Sequence, residues 1–130
     1  MSNLVAFPKS GSGSTQSTVQ FDNTNGAAVI SMHPTPRPSF TPGLLDDLEA
    51  FSDSVAAHVR SEQERGIEPS IRYAVLASDV PDIFNFGGDL GRFVELIRAG
   101  DRQGLMDFVL ACIRCSQGFS QGFDGPGTWI

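Results

Sequence analysis

The stretch whose reading decides the fold is Arg72-Tyr-Ala-Val-Leu-Ala-Ser-Asp-Val-Pro-Asp-Ile-Phe-Asn-Phe-Gly87-Gly88-Asp89-Leu90. Ile71 to Ala77 is a short apolar, partly β-branched run bounded by Pro69 and by Asp79-Val80-Pro81, which predicts an interior strand rather than a helix. The strand leads through a short loop into two adjacent glycines and a helix that begins at Asp89 or Leu90. Two glycines let the backbone turn freely and leave their amides unshielded by side chains. A helix start adds its positive end beside them. Together they make a seat for a developing negative charge.

Upstream of this stretch, Val19-Gln20-Phe21 and Ala27 to Met32 read as two short strands. Asp22-Asn23-Thr24-Asn25-Gly26 joins them with residues that suit positive φ, so a β-hairpin is expected. The Pro-rich link His33 to Phe40 cannot continue a central strand, because each Pro lacks a ladder donor. Thr41 followed by Pro42 supplies an N-cap and a preset first turn; Leu44, Leu48, Phe51, Val55 and Val59 then recur at helical spacing. The spacing predicts an amphipathic helix over about 42–64 that stops at Gly66.

Downstream, Leu90, Phe93, Val94 and Ile97 mark a second helix ended by Gly100. Asp101 is placed to cap a third, which packs Leu105, Phe108, Val109, Cys112 and Ile113. Residues 4–18 are rich in Ser, Gly and Thr, so residues 1–18 are expected to form a flexible leader and 19–130 the folded part. At the other end, Thr128-Trp129-Ile130 reads as the start of an apolar β-prone run, so 19–130 is expected to be the N-terminal part of a larger domain. The predicted class is α/β, with short strands including a β-hairpin and three amphipathic helices, in an arrangement too small in its sheet to be self-sufficient.

The 130 residues leave room for one domain, and 40% hydrophobic content supports a modest core. A net charge of −6 and a pI near 4.6 argue against a nucleic-acid surface, since eight Arg and one Lys are scattered without a basic cluster. There is no run of roughly 20 apolar residues to span a bilayer, and no charged start followed by an apolar stretch at the N-terminus. A cytoplasmic protein is expected.

Other chemistries fit less well. Cys112 and Cys115 form a C-x-x-C inside an apolar helical pattern, without a second Cys pair or a suitably spaced His, so they are read as ordinary helix residues buried as small hydrophobes. Gly87-Gly88-Asp89-Leu90-Gly91 is not G-x-G-x-x-G, and Lys9, the only lysine, rules out a phosphate-binding Walker lysine. Glu62, Glu64 and Glu68 read as solvated charge at a helix end. His33 and His58 read as satisfied or exposed histidines.

The residues Arg72 to Ser78 and Ile83-Phe-Asn-Phe-Gly-Gly-Asp-Leu90 resemble the crotonase superfamily, the enoyl-CoA hydratase and isomerase fold, which has a strand, a loop and an F-x-x-G-x-D-L motif there. Met32 to Leu48 looks most like the branch of that superfamily containing the diffusible-signal-factor synthases, which make unsaturated fatty-acid quorum-sensing signals. The similarity runs from about Val19 to Ile130, roughly the first half of a family member. The fold it implies is an incomplete crotonase-like fold. It implies an acyl-CoA or acyl-carrier-protein thioester as substrate, no separate cofactor and no metal, and a homotrimer for a complete protein.

Residue by residue, the resemblance gives Gly88 the amide that binds the thioester carbonyl, with Gly87 supplying the turn. Asp89 is expected to cap the following helix and so hold the Gly88 amide. The backbone around Ala77, Ser78 and Phe84 would lie near the CoA moiety, and Phe84 and Phe86 would either line an acyl pocket or fill core space. A fixed N–H stabilises an enolate or tetrahedral oxyanion more than a neutral carbonyl. The family's second oxyanion amide and its proton-moving glutamates fall beyond Ile130. The competing expectation is therefore a truncated, non-catalytic interaction module whose apolar helix faces remain exposed.

Overall fold

The structure is a computed structural model that describes residues 4–6 and 16–121; Leu4–Ala6 and Gln121 are described by their backbone alone. Its elements run β1 (Leu4–Ala6), β2 (Ser17–Asp22), β3 (Ala27–Met32), α1 (Pro42–Glu64), β4 (Tyr73–Ser78), α2 (Leu90–Arg98) and α3 (Arg102–Gln121). The four strands form one sheet in the order β1-β2-β3-β4. The first two pairings are antiparallel and the last, across the α1 crossover, is parallel. Among the described residues this is an α/β fold with one sheet and three helices.

The expected hairpin is present, and its turn is tied by Asp22, whose carboxylate accepts from Thr24 N (3.0 Å), Asn25 N (3.2 Å) and Asn25 Nδ2 (2.8 Å). Gly26 takes φ +66°, and a Cβ there would lie 2.9 Å from Ser70 O, so this turn position requires glycine. Helix α1 begins as its cap predicts: Thr41 Oγ1 accepts from Leu44 N at 3.2 Å, with Pro42 in the first turn. It ends at Arg65 as its C-cap, with Gly66 following at φ +63°.

Strand register explains the core. Successive side chains alternate between sheet faces, and the pairings Val19↔Ile30↔Leu76 and Phe21↔Ala28↔Ala74 set one apolar face against α1. Ala28, Ile30, Met32, Leu44, Leu48, Phe51, Val55, Val59, Ile71 and Ala74 pack there as one buried cluster. A second, smaller cluster of Leu45, Leu96 and Phe108 joins α1 to α2 and α3. Phe119 of α3 stacks on Phe51 of α1, with ring centroids 6.1 Å apart.

Several boundaries and environments differ from expectation. The strand expected from Ile71 starts at Tyr73, because Arg72 N–H and Tyr73 N–H both donate to Gly26 O and the ladder with β3 begins at Ala27↔Tyr73. Ile71 is still buried, but as a core residue of the preceding loop. Of the leader expected over 1–18, Leu4–Ala6 pairs with β2, and Ser17 and Thr18 belong to β2 itself. Gln16 is also described, its backbone O accepting from His33 N at 2.9 Å; residues 1–3 and 7–15 of that leader lie outside the described residues, as does the β-prone run Thr128–Ile130.

Glu62 is not solvated charge. It is buried at the end of α1, accepting from Ser70 N (3.2 Å) and Ser70 Oγ (2.9 Å), with His58 Nε2 at 3.1 Å. Its carboxylate therefore ties α1 to the approach of β4 and leaves the surface charge to Glu64 and Glu68.

Candidate oxyanion site

The glycine pair is positioned by the Pro-rich link that precedes α1. Phe40 N–H donates to Gly87 O at 2.7 Å, and Asp89 N–H donates to Phe40 O at 3.3 Å, which makes a parallel bridge between Phe40 and Gly88. In such a bridge both bonds go to the neighbours of the bridged residue, so the N–H and C=O of Gly88 itself point to the opposite side. Among the described residues, no acceptor meets the Gly88 N–H. One further bond, from Phe86 N–H to Pro38 O at 2.7 Å, fixes the strand-like segment on the same edge.

The two glycines are thereby given different tasks. Gly87 has φ +95°, a left-handed conformation that L side chains rarely adopt, and its N–H is taken by Asn85 Oδ1 at 2.7 Å. Gly88 has its N–H to spare. A Cβ on Gly88 would meet Phe93 Cε2 at 3.0 Å, so the backbone here lies directly against a ring. Phe93 is in turn held edge-on by Phe108 of α3, with centroids 5.0 Å apart and planes at 76°.

Asp89 is the N-cap of α2: its backbone is extended, and its Oδ1 accepts from Gly91 N at 3.0 Å. The Gly88 amide thus stands one residue outside a capped helix start, on the positive end of its dipole. Arg98 in the last turn complements the other end.

The residues named for substrate contact are dispersed around this point. Ser78 ends β4, and its hydroxyl donates to Ile83 O (2.6 Å) and accepts from Val80 N (3.1 Å), so it fastens the loop that leads to the glycines. That loop contains Asp82 at φ +60°. Ala77 is half-buried on the sheet face opposite α1. Phe84 and Phe86 are 56% and 69% exposed, so neither fills the core.

Three participants were not singled out from sequence: Phe40, Asn85 and Phe93. Asn85 had a local signal, since Asn two residues before a turn glycine is a common side-chain-to-backbone pattern. Its Nδ2 also reaches Met32 Sδ at 3.7 Å, joining the loop to the end of β3. Phe40 had no such signal, because its partner lies 48 residues away.

Other chemistry is sparse among the described residues. No three His, Cys, Asp or Glu side chains gather as metal ligands, and no helix is long and apolar enough to cross a membrane. Burial pushes the Cys112 thiol up; burial and the neighbouring Cys112 push Cys115 up to about 11, so both stay protonated near neutral pH. A groove of about 200 Å³ between α1 and α3 is lined by Leu45, Asp46, Glu49, Asp53, Arg114 and Cys115 among others, and by none of the site residues.

The chain has the α/β fold found in part of several longer solved structures of enoyl-CoA hydratase type. Among solved structures it is similar to an enoyl-CoA hydratase from Geobacillus kaustophilus HTA426, at 21% identity and TM-score 0.63, over 92% of this chain and 38% of that one. It is also similar to DspI of Pseudomonas aeruginosa, at 17% identity and TM-score 0.63, over 93% of this chain and 39% of that one. A third is an enoyl-CoA hydratase/carnitine racemase from Magnetospirillum magneticum, at 13% identity and TM-score 0.62, over 90% of this chain and 39% of that one. This chain therefore spans about two fifths of the length of those proteins. No protein-family model and no curated protein matches the sequence.

Proposed function

We propose that this chain carries one oxyanion-stabilising amide of a crotonase-type acyl-thioester enzyme, with Gly88 N–H donating to the thioester carbonyl oxygen. One observation carries the reading: the bridge to Phe40 and the Asn85 side chain occupy the amides on either side, leaving the Gly88 N–H directed away from Phe40 and without an acceptor among the described residues. An amide fixed in this way needs no reorganisation when negative charge develops on the bound oxygen. Gly87 supplies the left-handed turn, and Asp89 holds the helix start behind it.

The substrate class is an acyl-CoA or acyl-carrier-protein thioester, and the reaction is hydration or dehydration, or the formation of an unsaturated fatty-acid signal. Phe84 and Phe86, exposed just before the glycines, are the apolar groups assigned to receive an acyl chain. The backbone at Ala77 and Ser78 is assigned to the CoA side. A positioned acid or base is required as well; a homotrimer is proposed only for a complete protein, not for this chain.

The test uses an acyl-CoA labelled with ¹³C at the thioester carbonyl. Binding to the Gly88 amide is expected to move the carbonyl resonance downfield, and Gly88→Pro, which removes the N–H, is expected to abolish the shift. In an active preparation, Gly88→Pro is expected to lower kcat about 10²–10³-fold, roughly 3 kcal/mol. Gly88→Ala keeps the N–H but crowds Phe93, and so separates a lost donor from a displaced one. Unchanged turnover and an unchanged carbonyl shift in Gly88→Pro would rule the assignment out.

A second reading, a non-catalytic interaction module, is favoured by the exposed Leu90, Val94 and Ile97 stripe of α2. It predicts partner binding with no carbonyl shift at all, in the unmodified chain as in the variant.

A further inference from the structure

A second cluster of polar side chains, unrelated to the glycine pair, sits at the far end of α1. His58 and Glu62 are one turn apart on that helix, and Ser70 meets both from the loop before β4. Glu62 is buried, its side chain only 11% exposed. A carboxylate in such a place is accommodated by pairing with a cation or by holding a metal. Among the described residues no Arg or Lys pairs with it. Its partners are His58 Nε2 at 3.1 Å, Ser70 Oγ at 2.9 Å and Ser70 N at 3.2 Å.

The three donor atoms face one another. His58 Nε2 lies 2.8 Å from Ser70 Oγ and 3.1 Å from Glu62 Oε1, and Ser70 Oγ lies 2.9 Å from the same oxygen. Ligands about 2.1 Å from a divalent transition metal stand about 3.0 Å apart in octahedral geometry and about 3.4 Å apart in tetrahedral geometry. The triangle is therefore already the size of one face of a coordination shell, and hydrogen bonds keep it at that size without an ion. Ser70 N–H donates to both carboxylate oxygens at 3.2 Å, which fixes the orientation of the acidic ligand. His58 is 44% exposed and Ser70 is exposed, so an ion has a way in and water has room in the remaining positions.

We propose that His58, Glu62 and Ser70 form a binding site for a divalent transition-metal ion of the zinc type. His58 Nε2 and Glu62 Oε1 are the principal ligands, Ser70 Oγ is a weaker third, and water completes the shell. An imidazole in the set selects Zn²⁺ or Co²⁺ over Mg²⁺ and Ca²⁺, which take oxygen ligands. The third ligand is a neutral hydroxyl, so the cluster differs from a group of three His, Cys, Asp or Glu, which does not occur among the described residues. On binding, the Ser70 hydroxyl gives up its hydrogen bond to Glu62 and turns a lone pair to the ion. The ion then joins the end of α1 to the approach of β4. His58 stands 16 residues beyond Pro42, about 24 Å along α1, so the site is remote from the Phe40–Gly88 bridge. The proposal does not depend on the role of Gly88.

The experiment titrates Zn²⁺ and Co²⁺ into the 130-residue chain and reads affinity by calorimetry, the Co²⁺ absorption spectrum and the ring ¹⁵N resonances of the histidines. Saturable binding is expected, with a shift of the His58 Nε2 resonance and no thiolate-to-cobalt charge-transfer band. His58→Ala, at an exposed position, and Glu62→Gln are each expected to weaken binding at least about tenfold, the least that losing even an outer hydrogen-bonding partner costs a metal site. Ser70→Ala is expected to weaken it by less. Joint replacement of Cys112 and Cys115 by Ser is expected to change nothing, which separates this site from the C-x-x-C of α3. Three results would overturn the proposal: no saturable binding below about 1 mM Zn²⁺, binding unchanged in His58→Ala, or a thiolate band that disappears with the cysteines. The carbonyl shift that tests Gly88 is read without metal, and its loss would leave each of these outcomes unaltered, so the two proposals fail separately.

Discussion

The layer formed by the sheet and α1 differs sharply from the layer formed by α2 and α3. Ile30, Met32, Leu44, Leu48 and Val55 are fully buried between sheet and helix, whereas Leu90 and Ile97 of α2 are 73% and 64% exposed, and Met106 and Ile113 of α3 are about half exposed. Both layers have comparable apolar periodicity. The first has found its complement within the described residues; the second turns one face inward, through Leu96 and Phe108, and leaves the other outward. The Gly88 amide lies where the two layers meet, held from one side by Phe40 and backed from the other by Phe93. A site built at such a seam inherits rigidity from the packed layer and access from the open one.

The comparison breaks most readily at its buried end. Leu48→Ala is expected to destabilise the chain by about 2–5 kcal/mol, the usual cost of a large-to-small change in a closed core. Ile97→Ser on the open face is expected to stay within about 0.5 kcal/mol. Urea unfolding followed by circular dichroism measures both, and similar costs would show that the exposed face is covered in solution.

A smaller effect is expected at the seam itself. Gly87→Ala meets no neighbour within 4 Å but must adopt φ +95°, so its cost of about 1–3 kcal/mol is conformational alone. It keeps both glycine amides, and the same unfolding curves report it. A loss of the carbonyl shift in this variant, without global unfolding, would show that the turn of Gly87 aims the amide of Gly88.

The smallest effect belongs to the hairpin. The Asn25 side chain, together with the Asn25 and Thr24 amides, holds the Asp22 carboxyl below its ordinary value. A carboxyl with a lowered folded-state pKa contributes stability that is present above its unfolded value, near 3.8, and is lost as pH falls through the folded value. Because Asp22 lies only partly buried on a surface turn, the effect is expected to be slight, and Asp22→Asn should flatten the acid limb of the stability profile below about pH 4.

Much of this fold was legible from local pattern. The Thr41-Pro42 start, the Asp89 and Asp101 caps, the apolar spacing of α1 and the turn residues of the hairpin act within about one helical turn of themselves, so sequence proximity is enough to read them. The burial of Glu62 is not legible locally, because Ser70 meets it from the loop after α1, and charge patterning at a helix end says nothing about what folds back over it.

By itself, the sequence determined the hairpin, the three helices and a strand after α1, together with two glycines between that strand and a capped helix, but not β1 or the strand ends. Only the tertiary structure decided which glycine keeps a free amide. That choice depends on Phe40, 48 residues away, spending both its backbone groups on Gly87 and Asp89, and on Asn85 taking the N–H of Gly87. Caps and periodicities are set by neighbours along the chain. The direction of a single N–H is set by whichever segment the fold brings alongside it.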